Sequence, residues 1–185
     1  MKHLAIHHTA VSRKTQSSQL IPVDRYHKNK WNYKSSLGWF VGYNYFIDVN
    51  GSLTACRKIG EETMAQLGHN LDAISVCLAG NFNLELPTDA QNDRLRDFID
   101  NMTTRYPDVK ITYHRALQEG RVCPGKLFTD DYLYNVVLKT PIVSITDIAV
   151  EEETKALAIV RLSTRIDVLI ALLKKVLLFF QRSFK

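Results

Sequence analysis

The 185-residue chain is 45% hydrophobic and 23% charged, proportions of a globular protein rather than a disordered or fibrous one. Its 24 Lys and Arg against 19 Asp and Glu give a net charge of +5 without the dense basic stripe typical of nucleic-acid binders, so we expect no nucleic-acid partner. Three cysteines are too few for a disulfide scaffold, and no apolar run is long enough to predict an ordinary membrane span.

The first part of the chain alternates between strand-like and helix-like segments. Residues 4–8 predict a short apolar strand, and residues 22–30 predict a helix. Residues 40–49 and 52–58 are rich in aromatic and β-branched side chains, which predicts two strands. Between them stands Asn50-Gly51, a strong signal for a two-residue hairpin turn.

The next segments complete the predicted fold. Residues 73–79 form a continuous apolar run, which at this length predicts a strand buried on both faces. Thr88 can cap a helix that runs to about Arg105, and residues 109–113 predict a further strand ending at His114. Together these segments predict an α/β fold with a central mixed β-sheet flanked by helices on both faces.

Composition changes once, near Pro141. Residues 145–185 contain no Gly or Pro and place apolar residues at alternating steps of three and four, which predicts a C-terminal apolar, amphipathic helical extension. We therefore expect one domain over residues 1–140 and a tail over residues 141–185. Three roles for the tail stay open: packing against the first domain, self-association, or insertion at a membrane surface where its basic residues meet anionic lipid.

Two histidines and one cysteine stand where α/β proteins expose side chains to ligands. His7 ends one predicted strand, His114 ends another, and Cys123 follows nine residues later in a loop. Two imidazoles and one thiolate suit Zn²⁺, with the fourth tetrahedral position free for water. The spacing alone is a weak signal, because single histidines are more often surface or core residues than metal ligands.

Five sequence blocks, in order, resemble the type 2 N-acetylmuramoyl-L-alanine amidases, a family that includes phage lysozymes with amidase activity and peptidoglycan recognition proteins. The resemblance covers about residues 3–136. The blocks are IHHTA at 6–10, GYNYFI at 42–47, DVNG at 48–51, GHN at 68–70 leading into AISVCLAGNF at 73–82, and YHR at 113–115 with CPG at 123–125. The resemblance implies a zinc-dependent amide hydrolase that acts on peptidoglycan. It also implies a fold with a central mixed β-sheet and flanking helices. It also implies that His7, His114 and Cys123 are the zinc ligands.

The same resemblance implies two catalytic residues. Tyr43 corresponds to the family's active-site tyrosine and can donate its phenolic proton to a developing oxyanion or position the water. Arg121 stands where the phage lysozymes have a lysine; it can stabilise an oxyanion but cannot serve as a general base. Ala65 stands where the family often has an accessory histidine, and His69 is the alternative for that role.

These observations lead us to expect a phage endolysin that cleaves the N-acetylmuramoyl–L-alanine bond and causes host cell lysis. The first residues lack the long apolar segment of a secretory signal. We therefore expect synthesis in the host cytoplasm without a signal peptide and action at the bacterial cell wall or periplasm.

The alternatives are a bacterial cell-wall recycling amidase and a non-catalytic peptidoglycan-binding module. A dual protein that also binds a polymerase is a further alternative. Members of the family that lose catalysis typically lose the zinc cysteine, and here Cys123 is present.

Overall fold

The computed structural model of the protein describes residues 1–140. In these residues, five strands form one sheet: β1 (His3–His8), β2 (Tyr45–Ile47), β3 (Leu53–Ala55), β4 (Ala73–Leu78) and β5 (Lys110–Tyr113). The helices are α1 (Leu20–Trp31), α2 (Asp89–Arg105), the short α3 (His114–Leu117) and a π-helical segment at Tyr132–Val137. The strand order is β3-β2-β4-β1-β5, with β3 antiparallel to β2 and the other neighbouring pairs parallel. The predicted mixed α/β sheet is confirmed.

The two longest strands, β1 and β4, lie next to each other inside the sheet and are buried along almost their whole length. Leu4 and Ile6 of β1 pack with Ile74 and Val76 of β4 and with the apolar side of α2. Burying one such aliphatic side chain contributes about 1.5–3 kcal/mol. Successive side chains of a strand point to opposite faces, so His7 projects away from α2.

Helix α2 begins at the residue that its sequence predicts. The Thr88 hydroxyl accepts a hydrogen bond from the Gln91 backbone N–H at 3.2 Å, and the Gln91 side-chain oxygen accepts one from the Thr88 N–H at 3.1 Å. This reciprocal pair satisfies two backbone donors that the helix itself leaves unpaired. The Gln91 amide also donates to the Ala79 carbonyl at 2.8 Å, which joins the start of α2 to the end of β4.

The hairpin is confirmed, but its loop has three residues instead of the predicted two. The Asp48 N–H donates to the Ser52 carbonyl at 3.0 Å, which leaves Val49, Asn50 and Gly51 in the loop. The two strands beside it are shorter than predicted. Gly51 has φ +80°, and a Cβ there would lie 2.6 Å from the Ala90 carbonyl oxygen, so only glycine fits. The prediction of a strand from residue 40 is wrong. The Asp24 carboxylate accepts hydrogen bonds from the backbone N–H groups of Phe40 and Val41 at 2.6 and 3.1 Å, which holds this segment to α1 instead of to the sheet.

The predicted boundary near Pro141 and the tail over residues 141–185 lie outside the described residues. The domain division and the proposed membrane-surface or self-association roles of the tail therefore stay predictions. Within residues 1–140, no helix has the length and apolar character needed to span a membrane.

Candidate metal centre

The parallel pairing of β1 with β5 brings two histidines together. Ile6 is the register partner of Tyr113, so the next residues stand side by side: His7, still within β1, and His114, where the chain leaves β5. Their ring centroids are 4.8 Å apart. His7 is only 1% exposed, whereas His114 lies partly open at the beginning of α3.

The loop that carries Cys123 folds back onto these two strand ends. The Cys123 carbonyl accepts a hydrogen bond from the Arg115 N–H at 2.9 Å, and the Cys123 thiol accepts one from the His8 N–H at 3.4 Å. Cys123 Sγ thereby lies 3.8 Å from His7 Nδ1. One ligand atom each from His7, His114 and Cys123 lies within 4.8 Å of the other two. The structure brings together all three residues that the sequence singles out as metal ligands.

The protonation states of this cluster favour a metal ion over a cysteine nucleophile. Burial, with a smaller effect from His114, lowers the pKa of His7 to about 3, and burial raises the pKa of Cys123 to about 11. A catalytic cysteine–histidine ion pair needs the opposite shifts. Two neutral imidazoles and a sulfur that a cation can ionise are the donors of three-ligand Zn²⁺ sites, so the residues fit this metal.

A fourth residue, Gln66, selects the tautomer of His7. Gln66 is 1% exposed, and its side-chain oxygen lies 2.9 Å from His7 Nε2. The orientation of its amide is set because its nitrogen donates to the His69 carbonyl at 3.1 Å. His7 Nε2 therefore carries the proton and donates it to Gln66, which leaves Nδ1 free to bind a metal on the side of Cys123. Sequence reasoning missed Gln66, because it lies 59 residues from its partner.

The ring of Tyr43 packs against His7. Its ring centroid is 5.2 Å from that of His7. Burial, followed by the neighbouring thiols of Cys77 and Cys123, raises the pKa of Tyr43 well above its ordinary value. The phenol therefore stays protonated near neutral pH and is able to donate a hydrogen bond.

Arg121 lies at the exposed edge of the same site, next to His114. The Gln118 side-chain amide lies between them: one of its terminal atoms is 2.9 Å from His114 Nε2, and the other is 3.1 and 3.2 Å from two nitrogens of the Arg121 guanidinium. The Arg121 side chain is exposed and accessible to a ligand.

Other residues considered in the sequence have structural positions. His8 Nδ1 accepts a hydrogen bond from the Phe82 N–H at 3.0 Å, on the opposite side of β1 from His7. His27 is buried and accepts one from the Gly42 N–H at 3.0 Å. His69 binds Asp72 at 3.0 Å and takes no part in the His7 cluster, so it does not replace the accessory histidine whose position holds Ala65.

A groove of about 710 Å³ opens above the cluster. His114, Tyr43 and Arg121 reach it, while His7 lies beneath its floor. Its walls combine aromatic, apolar and amide side chains, including Val23, Tyr26, His27, Trp31, Met64, Gln66, Asn70 and Gln118. A groove of this size and mixture suits a ligand with both apolar and hydrogen-bonding parts.

Residues 1–126 match the sequence profile of the N-acetylmuramoyl-L-alanine amidase family. The chain belongs to this family. Membership supports peptidoglycan amide hydrolysis, or peptidoglycan binding, as the class of function.

Similar proteins agree with this assignment. A human N-acetylmuramoyl-L-alanine amidase is 28% identical over 141 residues, which cover 69% of this chain and 23% of that protein. Peptidoglycan-recognition protein 2 of Holotrichia diomphalia is 25% identical over 104 residues, which cover 54% of this chain and 53% of that protein. The chain thus spans only part of either relative. Among solved structures, the endolysin N-acetylmuramoyl-L-alanine amidase LysCS from Clostridium intestinale URNW has the same fold. Its TM-score is 0.59 at 23% identity, over 75% of this chain and 84% of that one.

Proposed function

We propose that the protein is a zinc-dependent N-acetylmuramoyl-L-alanine amidase of peptidoglycan. It hydrolyses the amide bond between the lactyl group of N-acetylmuramic acid and the L-alanine of the stem peptide. The observation that carries the proposal is the convergence of His7, His114 and Cys123 beneath an open groove, in a chain of this family.

The residues around the cluster have distinct tasks in this proposal. When bound, Zn²⁺ supplies an activated water near neutral pH and polarises the scissile carbonyl. Tyr43, which stays protonated, donates a hydrogen bond to the oxygen on which negative charge develops. Arg121 places a fixed positive charge at the groove edge, where it stabilises the same oxyanion. Gln66 keeps His7 in the tautomer that binds metal through Nδ1.

The groove supports a muramyl peptide as the ligand. Trp31 and Tyr26 offer aromatic rings to a sugar, and the partly exposed amide of Gln118 offers hydrogen bonds to a peptide. A stem peptide carries carboxylates, and both Arg121 and the net charge of +5 attract them.

The proposed biological role is that of a phage endolysin that acts at the bacterial cell wall and causes host lysis. Its support is the resemblance of the sequence blocks to phage lysozymes and the fold likeness to an endolysin amidase. A non-catalytic peptidoglycan-binding module is the second candidate, because one relative is named a peptidoglycan-recognition protein. Cys123 favours the enzyme, since a binding module has no need of a thiol that completes a metal site.

Digestion of purified peptidoglycan tests the proposal. We expect the protein to release free stem peptides that begin with L-alanine, identified by mass spectrometry. A chelator should stop the release, and added Zn²⁺ should restore it. The Cys123→Ser variant is the matched control and should release none. Binding to peptidoglycan without peptide release would instead establish the binding module, and release that survives complete metal removal would exclude zinc chemistry.

A further inference from the structure

A second cluster of metal-ligating side chains stands at the opposite end of β1. His3 opens this strand, His69 lies in the turn before β4, and Asp72 precedes β4 directly. One ligand atom of each lies within 4.8 Å of the other two. His3 and His7 are four residues apart on one strand, about 13 Å, so this cluster is separate from the candidate metal centre.

Backbone hydrogen bonds hold the three residues together. The N–H groups of Lys2 and His3 both donate to the Asp72 carbonyl, at 2.8 and 3.4 Å, and the Ala73 N–H donates to the His69 carbonyl at 3.2 Å. The start of β1 and the turn before β4 are thereby fixed against each other. The cluster is a product of the sheet register and does not depend on flexible surface side chains meeting by chance.

The two imidazoles have the separation that a shared ion requires. The ring centroids of His3 and His69 are 5.2 Å apart with the rings at 87°, close to the 4.8 Å between His7 and His114. A zinc–nitrogen bond is about 2.0–2.1 Å, and the ring centre lies about 1 Å beyond the nitrogen, so two rings on one tetrahedral ion have centres about 5 Å apart. Both histidine pairs meet this requirement.

The protonation of the cluster leaves room for a cation. Burial and the neighbouring His69 lower the pKa of His3, so its imidazole is neutral near pH 7. His69 Nδ1 and Asp72 Oδ1 lie 3.0 Å apart, at hydrogen-bond distance, and a metal ion held by both would replace this contact. Both side chains are about 30% exposed, 31% for His69 and 29% for Asp72, which leaves the cluster open to an ion from solvent.

Two lysines surround the cluster and oppose a cation. Lys2 Nζ lies 3.1 Å from Asp72 Oδ2, and Lys110 is the register partner of His3. The Lys2 side chain is 75% exposed, so it is free to turn into solvent when an ion takes its place. Lys2 therefore acts as a competitor for Asp72 and weakens the site without blocking it.

We propose that His3, His69 and Asp72 form a second binding site for a divalent transition-metal ion of the zinc class. Imidazole nitrogens with one carboxylate oxygen suit Zn²⁺, Cu²⁺, Ni²⁺ and Co²⁺ over Ca²⁺ or Mg²⁺. The ion would connect the start of β1 to the turn containing Gln66 and Leu67, both of which line the groove. An ion at this site would stabilise the turn that forms one wall of the groove, and it takes no part in hydrolysis.

Metal titration of the full chain tests this site. The metal-free protein is titrated with Zn²⁺ alone in competition with a chromophoric chelator, and with Co²⁺ alone in an absorption cell. We expect two equivalents of either metal. Only the first Co²⁺ equivalent should produce the thiolate charge-transfer band of Cys123, because the second site has no sulfur.

Single substitutions assign the second equivalent. His3→Asn should weaken it about 100-fold or more while the first equivalent keeps its affinity and its thiolate band, since losing even an outer-shell partner costs 10–100-fold. His69→Asn and Asp72→Asn should act alike, and they decide the matter if His3→Asn fails to fold. Lys2→Met should tighten the second equivalent about two- to fivefold, an improvement that no structural damage would produce. A single equivalent in the native chain, or a second one that none of these substitutions changes, would overturn the proposal.

Discussion

The two ends of β1 carry the same kind of side chain in different surroundings. At the carboxyl end, His7 is 1% exposed and meets a second imidazole and a thiol beneath a groove. At the amino end, His3 meets an imidazole and a carboxylate that are about 30% exposed and flanked by lysines, and it does not line that groove. Burial, a sulfur ligand and an open face for substrate therefore distinguish a proposed catalytic centre from a proposed structural one. The presence of two histidines alone does not distinguish the two proposed centres.

The largest expected effect is the loss of activity on replacing Cys123. Cys123→Ser should abolish peptidoglycan hydrolysis and most binding of the first zinc equivalent, because a three-ligand site loses its sulfur donor. His114→Ala should have the same effect. Zinc content by elemental analysis and peptide release by mass spectrometry measure both consequences.

His3→Asn is the matched control at the other end of the strand, and it should retain full hydrolysis. If Cys123→Ser kept near-normal zinc content and rate, or if His3→Asn lost hydrolysis while remaining folded, the contrast between the two ends would be wrong.

Removal of the Tyr43 hydroxyl should have the next largest effect. Tyr43→Phe preserves the ring packing against His7 but removes the proposed donor to the oxyanion, so we expect the rate to fall by roughly 10²-fold with zinc content unchanged. Steady-state kinetics on a soluble muramyl peptide, together with metal analysis, gives the result. A near-normal rate would reduce Tyr43 to a packing residue.

Substitutions of Gln66 test whether its side chain fixes the tautomer of His7. Gln66→Leu leaves His7 Nε2 without an acceptor, so we expect the affinity for the first zinc equivalent to fall about 10- to 100-fold. Gln66→Glu keeps an oxygen facing His7 and should lose less affinity than Gln66→Leu. Equal losses in the two variants would show that Gln66 acts through packing rather than through the tautomer of His7.

Acid should destabilise the buried end of the molecule through His27. Burial lowers the pKa of His27 to about 4, below the value of about 6.5 in an unfolded chain. Between these values the unfolded state binds the additional proton, so the free energy of unfolding decreases as the pH falls below 6.5. The expected loss from this histidine is about 1–2 kcal/mol by pH 5.

Urea unfolding at pH 6.5 and pH 5 measures this loss. The metal-free Cys123→Ser background removes any contribution from zinc binding. Adding His27→Gln keeps an acceptor for the Gly42 N–H but removes the titrating group, so the decrease between the two pH values should be smaller by that amount. An unchanged decrease would contradict a buried, neutral His27.

The smallest expected effect on hydrolysis comes from deleting the tail. The family match ends at residue 126, and both clusters lie before residue 124. A chain ending at residue 144 should therefore fold, bind zinc and cut purified peptidoglycan like the full chain. If it is insoluble or inactive while the full chain is an unassociated monomer, the predicted boundary near Pro141 is wrong.

Local signals made much of the fold predictable. The Thr88 cap, the hairpin at Asn50-Gly51 and the apolar run of β4 act over a few residues, and all are present in the structure, although the hairpin loop has one residue more than predicted. The resemblance to the family also pointed to the three residues that converge beneath the groove.

Long-range contacts limited what the sequence could predict. Asp24 binds the backbone of Phe40 and Val41, which shortened a predicted strand, and Gln66 reaches His7 across 59 residues. The cluster around His3 arises because the sheet register places the starts of β1 and β4 side by side. The spacing of its residues in the sequence does not predict it.

The most direct test of the account measures peptide release from purified peptidoglycan while Zn²⁺ is returned stepwise to the metal-free protein. The rate should rise in proportion to the first equivalent, which occupies the site of His7, His114 and Cys123, and should reach its plateau there. The second equivalent should add no activity. Hydrolysis that begins only with the second equivalent, or that proceeds without any metal, would contradict the assignment of the buried cluster as the catalytic centre.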